Sequence, residues 1–295
     1  MNKYSSIKTC IIESWKEFAT NTKAYFKYLW IYLLIAGIGY AFFSAETNWI
    51  SAAHITPMQS LVESGLTSEV AKALYGPTWQ AIGLSLLALI VYLISNYIMV
   101  GGIYSQIRFY KATNSLPAKG AFCFWNEVKT DSIRSFTFDI LLAVAVGLSV
   151  GIIALIAWPT SWWVLLLAIP VIIYWMVIGT CGRLLYVVEK LALKDAVIGA
   201  FKTGHHKFGG YCILLLLTSI PLLFIAIIAM QPVAVFHFAH NANSVNQLLN
   251  EASGIPPYTI PLHFVTATLA MSIFGIGYAL QQMPLALFTS AVHKK

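Results

Sequence analysis

The chain has 295 residues, of which 59% are hydrophobic and only 10% charged, with a mean hydropathy of +0.75. That much apolar surface cannot be hidden inside one water-soluble core, so lipid must be the solvent for a large part of it. The formal charge of +7 and the pI of about 9.1 come from Lys and Arg gathered between the apolar runs, which suits anionic headgroups and argues against a nucleic-acid partner.

Residues 1–24 are polar and amphipathic, with no apolar signal-peptide core, so the first span is expected to be a retained signal anchor. In this segment Tyr4, Ile7, Ile11, Trp15 and Phe18 follow three- and four-residue steps, forming an apolar stripe with Lys3, Lys8 and Lys16 off its centre. Such a helix lies in the membrane interface or packs on the ends of a bundle, and the stripe serves either arrangement. Apolar runs long enough to cross a hydrocarbon core of about 30 Å predict six transmembrane helices. They fall at 25–44, 79–105, 136–158, 162–188, 210–231 and 259–290, and the long second and sixth runs imply tilt or extension. The fold class expected is all-α, a polytopic membrane bundle forming a single transmembrane domain over 1–295.

Between these runs, 45–78 and 232–258 are expected as extracytoplasmic loops. The first has the pattern for a helix from Thr56 or Pro57 to Tyr75, the second for one around 244–252 ended by Gly254 and Pro256-Pro257. Pro159-Thr160-Ser161 predicts a tight turn between the third and fourth runs. The loops 106–135 and 189–209 are assigned to the cytoplasm, because 17 of the 18 Lys and Arg lie in 1–27, 108–134, 183–207 and 294–295, with Lys72 alone on the other side. Both termini then face the cytoplasm. Cys10, Cys123, Cys181 and Cys212 map to the cytoplasmic half without a C-x-x-C pair, which argues against disulfides and a zinc ribbon.

An internal repeat is visible. The aromatics Trp15, Trp125 and Phe201 lie ten, eleven and ten positions ahead of Tyr25, Phe136 and Tyr211 at the starts of the odd-numbered spans. This predicts three hairpins, each preceded by a cytoplasmic amphipathic helix whose aromatic is an interfacial anchor.

Ionisable groups within the spans are candidate sites. Asp139, about one turn into the third run, and Arg183, near the end of the fourth, belong at similar depth on adjacent helices. They predict an ion pair that ties the second hairpin, the alternative being a role in coupling a proton or substrate. No carboxylate is expected near the midplane, which counts against a proton-coupled transporter. His237 and His240 form H-x-x-H, one face of a helix if helical, and His263 opens the sixth run. Together they could supply three nitrogens to an extracytoplasmic metal ion, although no Glu or Asp stands at motif spacing to support them, and histidines that only hydrogen-bond are commoner. His54 shares that side, and His205-His206 reads as a solvated face. Gly147 and Gly151 form a G-x-x-x-G that permits close helix approach. Pro170, Pro221 and Pro284 are expected to kink the later spans, near the polar Thr218, Ser219, Gln281 and Gln282.

The amphipathic entries with Trp and Lys, the three hairpins and the Pro-x-Ala-x-Phe ending at Pro284-Leu285-Ala286-Leu287-Phe288 resemble a broad group of bacterial six-helix membrane proteins of largely unknown function. That group is similar to the membrane region of some glycerophosphodiester phosphodiesterases, and the resemblance implies a bacterial inner-membrane location. Some members are labelled carotene-cleaving oxygenases, an activity that needs iron-binding histidines inside the membrane, a set this sequence lacks. No Walker, dinucleotide, G-x-S-x-G or H-E-x-x-H motif occurs. The expected function is therefore non-enzymatic, without a cofactor: a scaffold, accessory subunit or lipid-organising element. Its partners would be anionic membrane lipids, with a homo-oligomer or larger membrane complex open. The rivals are a transporter or channel for lipid or an apolar solute, and a metal-dependent membrane enzyme using the extracytoplasmic histidines.

Overall fold

The structure, a computed structural model, describes residues 6–113, 124–158, 162–248, 256 and 258–293. Lys3, Tyr4, Lys119, Cys123 and the rest of 121–123, the 159–161 turn, Glu251, Gly254, Pro257, Lys294 and Lys295 lie outside the described residues. Helix makes up 93% of the structure, with no strand among the described residues. Six helices are long and apolar enough to cross a membrane, within Thr22–Glu63, Trp79–Thr113, Trp125–Ala157, Trp163–Val187, Phe208–Asn246 and Thr259–His293.

Helix α1 (Ile7–Thr20) gives way to α2 (Thr22–Ile50) at Asn21, where φ of −115° and ψ of 26° break the helix. Asn21 Nδ2 donates to Glu17 Oε1 at 2.7 Å, while its backbone N–H still reaches Glu17 O at 3.0 Å and closes the last turn of α1. A second break falls at Lys207, with φ of −123° and ψ of 30°, between α8 (Leu193–His206) and α9 (Phe208–Leu248). Asn21 follows Trp15 by six residues and Lys207 follows Phe201 by six, so the repeat places the break as well as the aromatic. The equivalent residue of the middle copy is Asp131, six after Trp125. No break occurs there: α6 runs from Trp125 to Ala157 in one piece. Asp131 is held by Arg108 and Lys190 from other segments, so its carboxylate does not divert the backbone. The middle entry is thus the first turns of a span and not a separate amphipathic helix.

Helix also extends into regions expected as loops. α2 continues through a π-helical stretch (Ser51–Ile55) into α3 (Thr56–Glu63), and α4 (Ser68–Tyr75) follows a turn in which Gly65 has φ of 100°. The single helix expected to Tyr75 is therefore two, divided where glycine permits the left-handed backbone. α5 spans Trp79–Thr113 and α10 spans Thr259–His293, with Pro284 inside it. α9 runs unbroken past Pro221 and Pro232. Pro170 lies in the first turn of α7 (Ala168–Val187), directly after a 3₁₀ helix (Trp162–Leu167). An amide there has no intrahelical acceptor, so Pro170 starts a helix instead of kinking one.

Packing groups the chain into two compact units. The first comprises Met1–Trp30, Tyr97–Leu222 and Gly277–Lys295, and every Lys and Arg except Lys72 falls within these ranges. Its interior encloses Tyr28, Tyr104, Tyr211, Ile103, Leu184 and Leu285. The Tyr28 hydroxyl donates to Ser105 Oγ at 3.0 Å and that of Tyr211 to Thr289 Oγ1 at 2.9 Å, which satisfies the phenols that apolar packing would strand. The second unit comprises Ile31–Asn96 and Leu223–Ile276. Small residues dominate its core, with Ala41, Val233, Ala267 and Ala270 packed against Tyr40, Met230 and Phe264. A Cβ on Gly37 would lie 2.5 Å from Thr268 O, the backbone proximity that lets helices associate in lipid, where apolar burial alone gives no advantage.

The face that α1 buries is centred on Cys10 and Ser14, rotated from the expected stripe, while Ile12 and Trp15 point outward at 51% and 44% exposed. Small inward residues bring α1 close to its neighbours, so the helix packs on the bundle and leaves Trp15 exposed. Burial pushes the Cys10 thiol up to about 11. Since the thiolate is the reacting species, Cys10 is expected to alkylate at least about a hundredfold more slowly in the native protein at pH 8 than after denaturation, where its pKa returns toward about 8.5. Peptide mapping of maleimide-treated protein reads this directly. Equal rates in both states would mean that α1 is not docked.

Candidate functional site

Charged side chains from α5, α6, α7 and the segment after α7 converge in the first unit. The Asp131 side chain is fully buried; Arg108 Nη1 donates to its Oδ2 at 2.5 Å, and Lys190 Nζ takes Oδ1. Arg108 Nη2 reaches Glu127 Oε2 at 2.5 Å. Glu189 accepts from Lys111 and from Ser290 of α10. Arg134 lies 4.0 Å above the Tyr186 ring and donates to Tyr186 O at 3.0 Å and Leu191 O at 2.5 Å, covering one carbonyl at the end of α7 and one in the segment that follows it. The chain leaves α7 with Lys190 in the left-handed region, φ of 58°, a conformation unfavourable for lysine. The pair with Asp131 holds it there. Asp131, Arg108, Lys190 and Glu189 are the residues sequence reasoning missed, because they lie in stretches read as solvated loops.

Asp139 and Arg183 are brought together, Arg183 Nη2 lying 2.5 Å from Asp139 Oδ1. Tyr97 donates to Asp139 Oδ2 at 3.1 Å, and Arg183 Nη1 donates to Tyr278 Oη at 3.2 Å. From there a chain continues through Tyr104, at 3.2 Å from Tyr278 Oη, to Gln282, Gln281 and Ser219. Five helices of the first unit thus share one polar line, whose donors and acceptors are spent mainly on one another.

The three aromatics of the repeat remain at the surface, with Trp15 44%, Trp125 41% and Phe201 36% exposed. A cavity of about 950 Å³ opens among α1, α8, the start of α9 and the end of α10, with Lys202, Thr203, His206, Lys207 and His293 in its wall.

In the second unit His237, His240 and His263 do not form a ligand set. His237 lines a cavity with Tyr40, Ser44 and Thr47, whereas His240 and His263 line another with Phe42, Ala45 and Trp49. The His263 ring is 2% exposed, and its Nε2 is 3.0 Å from Ser44 Oγ. Among the described residues no three His, Cys, Asp or Glu side chains are grouped as a metal ion requires. The i, i+3 spacing holds along α9, but His237 and His240 line different cavities. Gly147 and Gly151 have nothing within 4 Å of where a Cβ would stand, so the G-x-x-x-G face packs against no described residue.

The helices define a multi-pass helical membrane protein. No protein-family model, curated protein or solved structure matches the chain.

Proposed function

We propose that the protein is a non-enzymatic component of a bacterial inner membrane, with its basic face and both termini in the cytoplasm, acting as a scaffold or accessory subunit that organises anionic lipid. One observation carries this reading. Glu127, Asp131, Asp139 and Glu189 are already engaged by Arg108, Lys111, Arg183 and Lys190, while Lys8, Lys16, Lys194, Lys202 and Lys207 have no ion pair among the described residues. Unneutralised lysines on interfacial helices are each worth about 1 kcal/mol against an anionic membrane surface. The exposed Trp15, Trp125 and Phe201 support a position at headgroup depth.

In bilayers mixing phosphatidylglycerol with phosphatidylcholine, the full-length protein should therefore enrich the anionic lipid in its first shell, as read by spin-labelled lipids. The triple variant Lys8→Glu, Lys16→Glu, Lys194→Glu should lower the enrichment severalfold. An unbiased shell around the wild-type protein would remove the reading. The polar line from Tyr97 to Ser219 favours a second reading, a pathway for lipid or an apolar solute. Its groups are already paired with one another, which ranks it below the first.

A further inference from the structure

The cavity of about 950 Å³ among α1, α8, the start of α9 and the end of α10 is at the upper end of the range for small-molecule sites, roughly 300–1,000 Å³. Its wall carries Lys202 and Lys207 and no carboxylate among the described residues. Two helix starts open onto it. In α9 the first intrahelical bond is Tyr211 N–H to Lys207 O at 3.0 Å, which leaves the amides of Phe208, Gly209 and Gly210 without helix acceptors. In α1 the N-cap Ser6 makes no side-chain bond to the first turn. Partial positive charge therefore points into the cavity from both. The carbonyl end of α8, which would repel an anion, is partly covered because the Lys207 amide bonds Thr203 O and His205 O. A second observation points to a ligand independently: Thr203 is only 7% exposed, lines the cavity, and its hydroxyl has no hydrogen-bond partner among the described residues. Ile7, Phe288 and Val292 make one wall apolar.

We infer that this cavity binds a phosphate-bearing anion, its phosphate held by Lys202, Lys207, the Thr203 hydroxyl and the amides opening α9, with the ester's carbon skeleton against Ile7 and Phe288. The inference rests on the lipid-organising reading above and gives it a specific ligand chemistry. An anionic phospholipid headgroup and a soluble phosphate ester both present that chemistry, a phosphate oxyanion flanked by a glyceryl group. Charge-assisted bonds to phosphate give affinity, while the apolar wall favours an esterified phosphate over the bare ion.

The test uses full-length protein in detergent, with binding of phosphatidylglycerol and phosphatidylcholine followed by native mass spectrometry and binding of sn-glycerol 1-phosphate by calorimetry. The double variant Lys202→Glu, Lys207→Glu should weaken phosphatidylglycerol binding at least about tenfold, the loss of one charge-assisted contact or more. Reversing Lys129, exposed on α6 and outside the cavity, should do much less. Lys202→Arg with Lys207→Arg should keep binding, and Thr203→Val, which keeps the shape without the hydroxyl, should weaken it; these carry the test if the Glu variant does not fold. Displacement of the lipid by glycerol phosphate marks a site that also takes the soluble ester, and no displacement marks the lipid as its source. If phosphatidylglycerol is preferred equally by wild type and double variant, the cavity is overturned and the lipid-organising reading stands. If wild type shows no lipid preference, that reading fails. The cavity then survives only if glycerol phosphate binds and the double variant abolishes it.

Discussion

Asp131→Asn is expected to destabilise the protein by about 3 kcal/mol, because breaking a buried ion pair strands charges that have lost their counterion. The Asp131 side chain has no exposure, whereas Arg108 and Lys190 are 20% and 34% exposed; the two cations recover some hydration, which keeps the loss at the low end for buried pairs. Asparagine is nearly isosteric, so no cavity contributes. What changes is that an acceptor of two charged donors becomes a neutral amide, whose own N–H₂ group must face Arg108 or Lys190. Lys190 would also lose the bond that offsets its left-handed backbone. Glu127→Gln removes the other carboxylate on Arg108, but Glu127 is 54% exposed, and an exposed pair is worth under about 1 kcal/mol. Unfolding in mixed micelles, followed by circular dichroism, should separate the two variants clearly. Equal stability of Asp131→Asn and wild type would show that the carboxylate is not structural.

The contrast between Asp131 and the membrane spans shows what was legible in the sequence. Six apolar runs announce six helices because length and hydropathy act locally, and lipid leaves the backbone no alternative to helix. The ends of those helices depend on what side chains meet. Asp131 and Asn21 occupy the same place in the repeat; Asn21 stands where α1 ends, whereas Asp131 is taken by Arg108 within a helix that continues. Nothing within either segment distinguishes these outcomes. The extension of α9 past Pro232 was equally hidden, since proline is a breaker in water but is tolerated where neighbouring groups resatisfy the backbone. The pairing of Asp139 with Arg183 was legible, because charges at equal depth in lipid have few other partners. The histidines were not: spacing puts His237 and His240 on one side of α9, yet they line different cavities. A repeat-based comparison would have found Asp131, since Trp15-x-Glu17-x-x-Thr20-Asn21 and Trp125-x-Glu127-x-x-Thr130-Asp131 share one pattern.

Gly101→Ala is expected to cost about 2–3 kcal/mol, the range for forcing extra atoms into a packed contact. A Cβ at Gly101 on α5 would lie 2.2 Å from Ser132 Oγ, 2.5 Å from Val128 O and 2.8 Å from Ser132 N of α6. Two of those atoms are backbone, and Ser132 Oγ is itself fixed by a 2.7 Å bond to Val128 O, so α5 and α6 must separate to admit the methyl. Separation would also stretch the Arg108–Asp131 contact, which joins the same two helices two turns further along α5, so the loss should exceed that of a clash alone. Gly147 and Gly151 make the opposite case. They carry the recognisable G-x-x-x-G spacing, yet a Cβ at either meets nothing within 4 Å. Alanine there adds no clash and gains helix propensity, up to about 1 kcal/mol, so Gly147→Ala and Gly151→Ala should be neutral or slightly stabilising in the same micellar unfolding assay. A neutral Gly101→Ala would contradict the close approach of α5 to α6, and a destabilising Gly147→Ala would mean that the open face of α6 is covered by something in solution. Spacing reports which glycines could admit a neighbouring helix; the neighbour's backbone decides which of them do, and here it selects a glycine outside the motif.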